Sequence, residues 1–163
     1  MSDTPTQAIA IPRVDTHLLK FSQAGTVAFT GLAFIFQWPA LVVAGAVILA
    51  LSAAVPPLGP FRLLYRFLLV PAHILRPRVV EDDPAPHRFA QAVGAAFLTA
   101  SSVALYLFQA SVVGWSLNLI VFVLALINFT VGFCAGCFVY YQLGRLGVAP
   151  KVRYAGGFHW RGV

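Results

Sequence analysis

Residues 21 to 61 and residues 89 to 144 contain no aspartate, glutamate, lysine or arginine. A helix needs about 20 apolar residues to cross roughly 30 Å of hydrocarbon, so each block has room for two crossings joined by a tight turn. Of the 163 residues, 60% are hydrophobic and 10% charged, far from the soluble balance of about half apolar and a quarter charged. A soluble globular enzyme is thereby excluded. The length suffices for one domain of ordinary size and not for two.

Turn residues divide the blocks. The first is interrupted at Gln37, Trp38 and Pro39 and closed by Pro56, Pro57, Gly59 and Pro60, and the second is interrupted at Gln109, Ala110 and Ser111. Spans are therefore predicted at about 20–37, 39–55, 88–108 and 112–143. The expected fold class is an all-α membrane protein with four transmembrane helices in two hairpins, plus a short cytoplasmic interfacial helix. Residues 1–19 form an N-terminal segment, 20–145 the membrane domain and 146–163 a basic tail. The first span is read as retained, because its apolar run is longer than a signal-peptide core. The fourth span exceeds one perpendicular crossing, so it must tilt, protrude or break, with Gly132 and Gly136 the obvious places for a break.

The basic residues set the expected orientation. All 11 Lys and Arg residues fall before the first span, between the second and third, or after the fourth. The positive-inside rule then puts both termini and the central segment in the cytoplasm. In that segment Arg62, Arg66, His73 and Arg76 recur at helical spacing over about 61–76, opposite Phe61, Leu64, Tyr65 and Leu68. This predicts an interfacial helix, kinked at Pro71, whose basic stripe faces lipid phosphates. The alternative is a binding site for an anionic substrate. The run Glu81, Asp82, Asp83, Pro84 reads as a solvated turn.

Chemistry is concentrated in one motif. Cys134 and Cys137 are the only cysteines and form a CxxC. On an unbroken helix they share a face with Thr130, Tyr141 and Arg145. Three readings compete. In the first, the pair and a GxxxG formed by Gly132 and Gly136 allow close helix packing. In the second, the thiolates bind a metal, but His73 and His87 could complete four ligands only by folding inward, so no metal site is expected. The third is thiol chemistry, a dithiol and disulfide couple or a persulfide carrier.

Packing and thiol chemistry stand level on the residues alone. An unbroken helix in lipid would hold the thiols neutral and sluggish. A break near Asn128 to Gly132 would start a new helix just before Cys134, whose free amides favour a thiolate. Gln91, Asn128, Thr130 and Tyr141 are then candidates to line a cytoplasmic vestibule beside the pair. Against that, Asn118, Asn128, Ser101, Ser102, Thr99, Gln91 and Gln109 all read as interhelical hydrogen-bond glue. The spans contain no ionisable relay and no histidine pair, which argues against a proton pump and against a buried bis-histidine haem.

Arg88, Phe89, Ala90 and Gln91, with Asn128, the run Gly132 to Cys137 and the following Tyr140 or Tyr141, resemble a bacterial membrane family catalogued as domain of unknown function 4395. The resemblance covers about residues 12 to 147. It implies a multi-pass protein of the bacterial cytoplasmic (inner) membrane and an association with rhodanese-like or thioredoxin-like proteins, hence sulfur or thiol handling. Membrane oxidoreductases of the vitamin K epoxide reductase type also carry CxxC pairs, but theirs serve the extracytoplasmic side with a shuttle pair that this chain lacks.

The expected function is therefore a cytoplasm-facing Cys134 and Cys137 pair acting on thiols, disulfides or sulfur species. A non-catalytic membrane subunit or scaffold of a larger complex is the rival, and a small pore or carrier for a sulfur compound is a third reading. Expected partners are membrane lipids, a cytoplasmic rhodanese-like or thioredoxin-like protein, or other subunits of a membrane complex. Neither nucleic acid nor a cofactor is expected.

Overall fold

A computed structural model describes residues 13–71, 79–81 and 83–147. The apolar blocks form helices α1 (Thr16–Ile35), α2 (Pro39–Ala54), α4 (Pro84–Tyr106), α5 (Ser111–Val131) and α6 (Ala135–Arg145). A short helix α3 (Pro60–Leu64) runs directly into one wide turn of π-helix over Tyr65–Leu69. Helices α1, α4 and α5 are long and apolar enough to cross a membrane, while α2 is apolar but only 16 residues long. At 1.5 Å per residue α2 spans about 24 Å.

The four long helices close a ring in which α1 packs on α2, α2 on α4, α4 on α5 and α5 back on α1. The two hairpin turns fall where the sequence places them. Gln37 and Gln109 each take a left-handed backbone conformation there.

Small side chains fill the centre and large ones cover the outside. Ala33, Ala46, Ala95 and Ala104 are buried together with Leu98 and Val42, whereas Phe108 is 75% and Val112 82% exposed. Such an inversion suits a bundle whose solvent is hydrocarbon, where association comes from close packing and interhelical hydrogen bonds. Interhelical bonds of this kind are present. Asn118 Nδ2 donates to the Thr30 carbonyl at 3.0 Å, joining α5 to α1, and Ser101 Oγ donates to the Gly114 carbonyl at 2.7 Å, joining α4 to α5. Ser102 instead bonds its own helix at the Leu98 carbonyl.

The charged end of the bundle departs from expectation in three ways. First, a two-stranded antiparallel ribbon pairs β1 (Arg13–Asp15) with β2 (Val79–Glu81) in the register Arg13 with Glu81. Second, the acidic run is not a solvated turn. Glu81 lies in β2, and Asp83 caps α4 by accepting from the Ala85 amide at 2.9 Å, with Pro84 in the first turn where its missing N–H is harmless. Asp15 caps α1 in the same way through the His17 amide.

Third, the helix expected over 61–76 is shorter and docks on protein. Phe61 lies between the rings of Phe21 and Phe29 at 6.1 and 6.2 Å, and Tyr65 is buried beside Phe21. Arg62 and Arg66 stay exposed, as do Leu64, Phe67 and Leu68. His73 and Arg76 lie outside the described residues.

Burial, together with the facing Asp15 carboxylate, pushes the Tyr65 phenol up from 10 to about 12. The neutral phenol is thus favoured in the folded state, so its contribution is complete below pH 10 and is lost as pH rises towards 12. In a tyrosinate absorbance titration, the difference between the parent and Tyr65→Phe should be centred near pH 12. A difference spectrum centred at the ordinary tyrosine value would refute the docking of this segment on α1.

Candidate functional site

The site begins with a glycine. Gly132 ends α5 in the left-handed region (φ 75°), its amide bonded to the Asn128 carbonyl at 3.1 Å. A residue with a β-carbon is strained there, so the helix breaks where glycine permits it.

Cys134 follows in extended conformation as the N-cap of α6. Its Sγ accepts from the Cys137 amide at 3.2 Å, and its carbonyl accepts the first helical bond from Phe138 at 2.9 Å. Phe133, just before the cap, packs on Phe138 with ring centroids 6.1 Å apart, an apolar clasp across the helix start. The CxxC spacing is therefore also capping spacing, with sulfur where a Ser or Thr oxygen usually sits. The two Cα atoms are 5.2 Å apart and the sulfurs are joined as a disulfide.

α6 packs against α4. A β-carbon on Gly136 would lie 2.6 Å from Ala90 Cβ and 2.8 Å from Ala90 Cα, closer than any real contact. Next to this contact the rings of Phe89 and Tyr140 meet at 5.4 Å. Gly136 thus serves close packing, as the packing reading expected, while Gly132 serves the turn. They do not form one GxxxG face.

On the other side of α4, Arg88 donates from Nε and Nη2 to the Ala53 carbonyl at 3.1 and 3.0 Å, holding the C-terminal end of α2. Arg88, Phe89, Ala90 and Gln91 therefore each face a different neighbour: the end of α2, the Tyr140 ring, Gly136 and a cavity.

That cavity, of about 150 Å³, lies inside the ring between α1, α4, α5 and the start of α6. Cys134, Gln91, Asn128 and His87 line it, with Ser22 and Gln23 opposite on α1. The Asn128 Oδ1 atom is buried and has no hydrogen-bond partner. Cys137 does not reach the cavity. Its Sγ stands 3.7 Å from His87 Nδ1.

Of the expected lining residues, Gln91 and Asn128 line the cavity with Cys134, and Thr130 and Tyr141 do not. The break at Gly132 takes Thr130 off the cysteine stripe, and its exposed hydroxyl bonds the Leu126 carbonyl of its own helix. Tyr141 is half-buried on α6 outside the cavity wall.

His87 is the residue that sequence reasoning missed in this role, having been weighed only as a metal ligand. It lies 50 residues from Cys137 along the chain, and only the docking of α6 on α4 joins them. Among the described residues, no group of three or more His, Cys, Asp or Glu side chains is placed to hold a metal.

Gly136→Ala should push α6 off α4 and cost about 1–3 kcal/mol, the usual range for overpacking. Reversible unfolding in mild detergent would measure it. An unchanged unfolding midpoint would mean that α6 is not seated against Ala90.

No curated protein and no solved structure matches the chain. The family model for Domain of unknown function (DUF4395) matches residues 14–145, which spans every element of the bundle and both motifs at the site. The chain belongs to the DUF4395 family.

Proposed function

We propose that this protein is a four-span protein of the bacterial cytoplasmic membrane whose Cys134 and Cys137 pair performs thiol and disulfide or sulfur-transfer chemistry on the cytoplasmic side. In this reading α2 is the second crossing, both termini are cytoplasmic, and Arg62 and Arg66 lie at the phosphates of the inner leaflet.

The observation that carries the reading is the position of the pair at the start of a helix created by a break, with Cys134 on the wall of a cavity. Once the disulfide opens, the Cys137 amide aimed at Cys134 Sγ favours negative charge on that sulfur, which an unbroken lipid-buried helix would not. A structural disulfide needs neither the cavity nor the neighbouring imidazole. A cytoplasmic rhodanese-like or thioredoxin-like protein is the natural exchange partner for such a pair.

The second reading is a non-catalytic membrane subunit, in which the pair only shapes α6. The Gly136 contact with Ala90 favours it, because that contact packs the same segment without any chemistry.

Two measurements test the proposal. Reporter fusions at the N-terminus, at Pro84, at Ser111 and after Val163 should give cytoplasmic signals at all but Ser111. An extracytoplasmic signal from either terminus overturns the orientation.

In inverted vesicles, a membrane-impermeant thiol reagent should label the pair after mild reduction and not before. Should the cysteines stay unlabelled after reduction, and Cys134→Ala with Cys137→Ala leave assembly and growth on sulfur sources unchanged, the subunit reading replaces this one.

A further inference from the structure

Resting on the thiol reading above, we propose that the cavity binds a small uncharged molecule bearing a sulfhydryl, such as hydrogen sulfide or a short alkyl thiol. We propose also that the pair is asymmetric, with Cys134 receiving the incoming sulfur, Cys137 leaving and His87 supplying the leaving sulfur's proton.

The asymmetry follows from position. Cys134 lies on the cavity wall and Cys137 does not, so a molecule in the cavity meets Cys134 Sγ. His87 borders the same cavity and stands 3.7 Å from Cys137 Sγ, the one place from which a single group can serve both the incoming and the departing sulfur.

The chemical class follows from the wall. A cavity of about 150 Å³ holds a molecule of roughly benzene size. The described wall residues include no Asp, Glu, Lys or Arg and only His87 as a group able to carry positive charge, so an anion such as thiosulfate would exchange its water for a largely apolar lining. Asn128 Oδ1, buried and without a partner, calls for a donor on the ligand.

Asp83, the cap of α4, stands one turn before His87 on the same helix, and α6 presents the Cys134–Cys137 disulfide to it. The described wall residues from α1, α2 and α5 are uncharged.

The step balances. The sulfhydryl sulfur bonds to Cys134 Sγ as the bond between Cys134 and Cys137 breaks, and that bonding pair leaves on Cys137. The incoming sulfur is oxidised and Cys137 is reduced. The proton lost by the sulfhydryl reaches Cys137 through the His87 imidazole. Sulfide yields a persulfide on Cys134 and a thiol on Cys137, whereas an alkyl thiol yields a mixed disulfide on Cys134.

The test uses the full-length protein, oxidised, in lipid nanodiscs. Sodium sulfide and mercaptoethanol are compared with the anionic probes thiosulfate and mercaptoethanesulfonate, each rate being divided by its rate on a short CxxC peptide disulfide. Alkylation and mass spectrometry then locate the adduct.

The expected result is an adduct on Cys134, a free thiol on Cys137 and a preference of at least about tenfold for mercaptoethanol over mercaptoethanesulfonate. His87→Gln should slow opening by about 100-fold while the adduct stays on Cys134. Asn128→Leu should slow opening by mercaptoethanol by about tenfold, as expected when one buried hydrogen bond to the ligand is lost.

An adduct on Cys137, or equal normalised rates for the neutral and anionic thiols, overturns this proposal and leaves the thiol reading standing. If no probe opens the disulfide in the folded wild-type protein, both readings fall together.

Discussion

Hydrocarbon offers no partner to a free amide or carbonyl, so a helix in a chain as apolar as this one can break only where protein groups take over the orphaned backbone. Between Val131 and Ala135 the helical ladder is interrupted, and groups of the same segment take over part of the orphaned backbone. Gly132 turns left-handed and returns its amide to Asn128, and Cys134 Sγ receives the Cys137 amide. The remaining features of the site depend on that exchange. It gives α6 a new direction, lays Gly136 on Ala90 and brings Cys137 to His87.

The same cysteine spacing thereby satisfies two demands. A cap needs an acceptor three residues before the amide that it receives, and a reversible disulfide needs two sulfurs whose Cα atoms are about 5 to 6 Å apart. At an N-cap both are met by one three-residue interval, here with a Cα separation of 5.2 Å. Opening the disulfide would leave the cap acceptor in place, so the helix start can survive a change in the oxidation state of the pair. The cavity behind Cys134 then follows from the ring of small side chains. Where α6 leaves the line of α5, Asn128, Gln91 and Gln23 border the cavity.

Much of this was legible in the sequence, and the misses have identifiable causes. The turns at Gln37 and Gln109 and the break at Gly132 stand out because polar and flexible residues interrupt otherwise apolar runs. Asp15 and Asp83 carried a readable capping signal ahead of apolar segments, the latter with Pro84 behind it, but the neighbouring acidic residues made a solvated turn the simpler reading. The periodicity of Arg62 and Arg66 marks a helical face correctly. It says nothing of Phe61 and Tyr65 docking on α1, because an apolar face facing lipid and one facing protein look identical in sequence. Thr130 was grouped with the cysteines by a period that holds only along one continuous helix, and the break resets that period.

By itself the sequence determined what depends on solvent. The charge-free blocks demand helices in a membrane, because backbone groups in lipid have no other way to be satisfied, and the single CxxC with its glycines marks the segment able to depart from that rule. Only the tertiary structure decided the pairing of Cys137 with His87, of Gly136 with Ala90 and of Arg88 with the end of α2. These contacts join positions far apart along the chain, and the small residues that allow them carry no periodic signal of their own. Their information lies in the distance between two backbones, which exists only once the helices have packed.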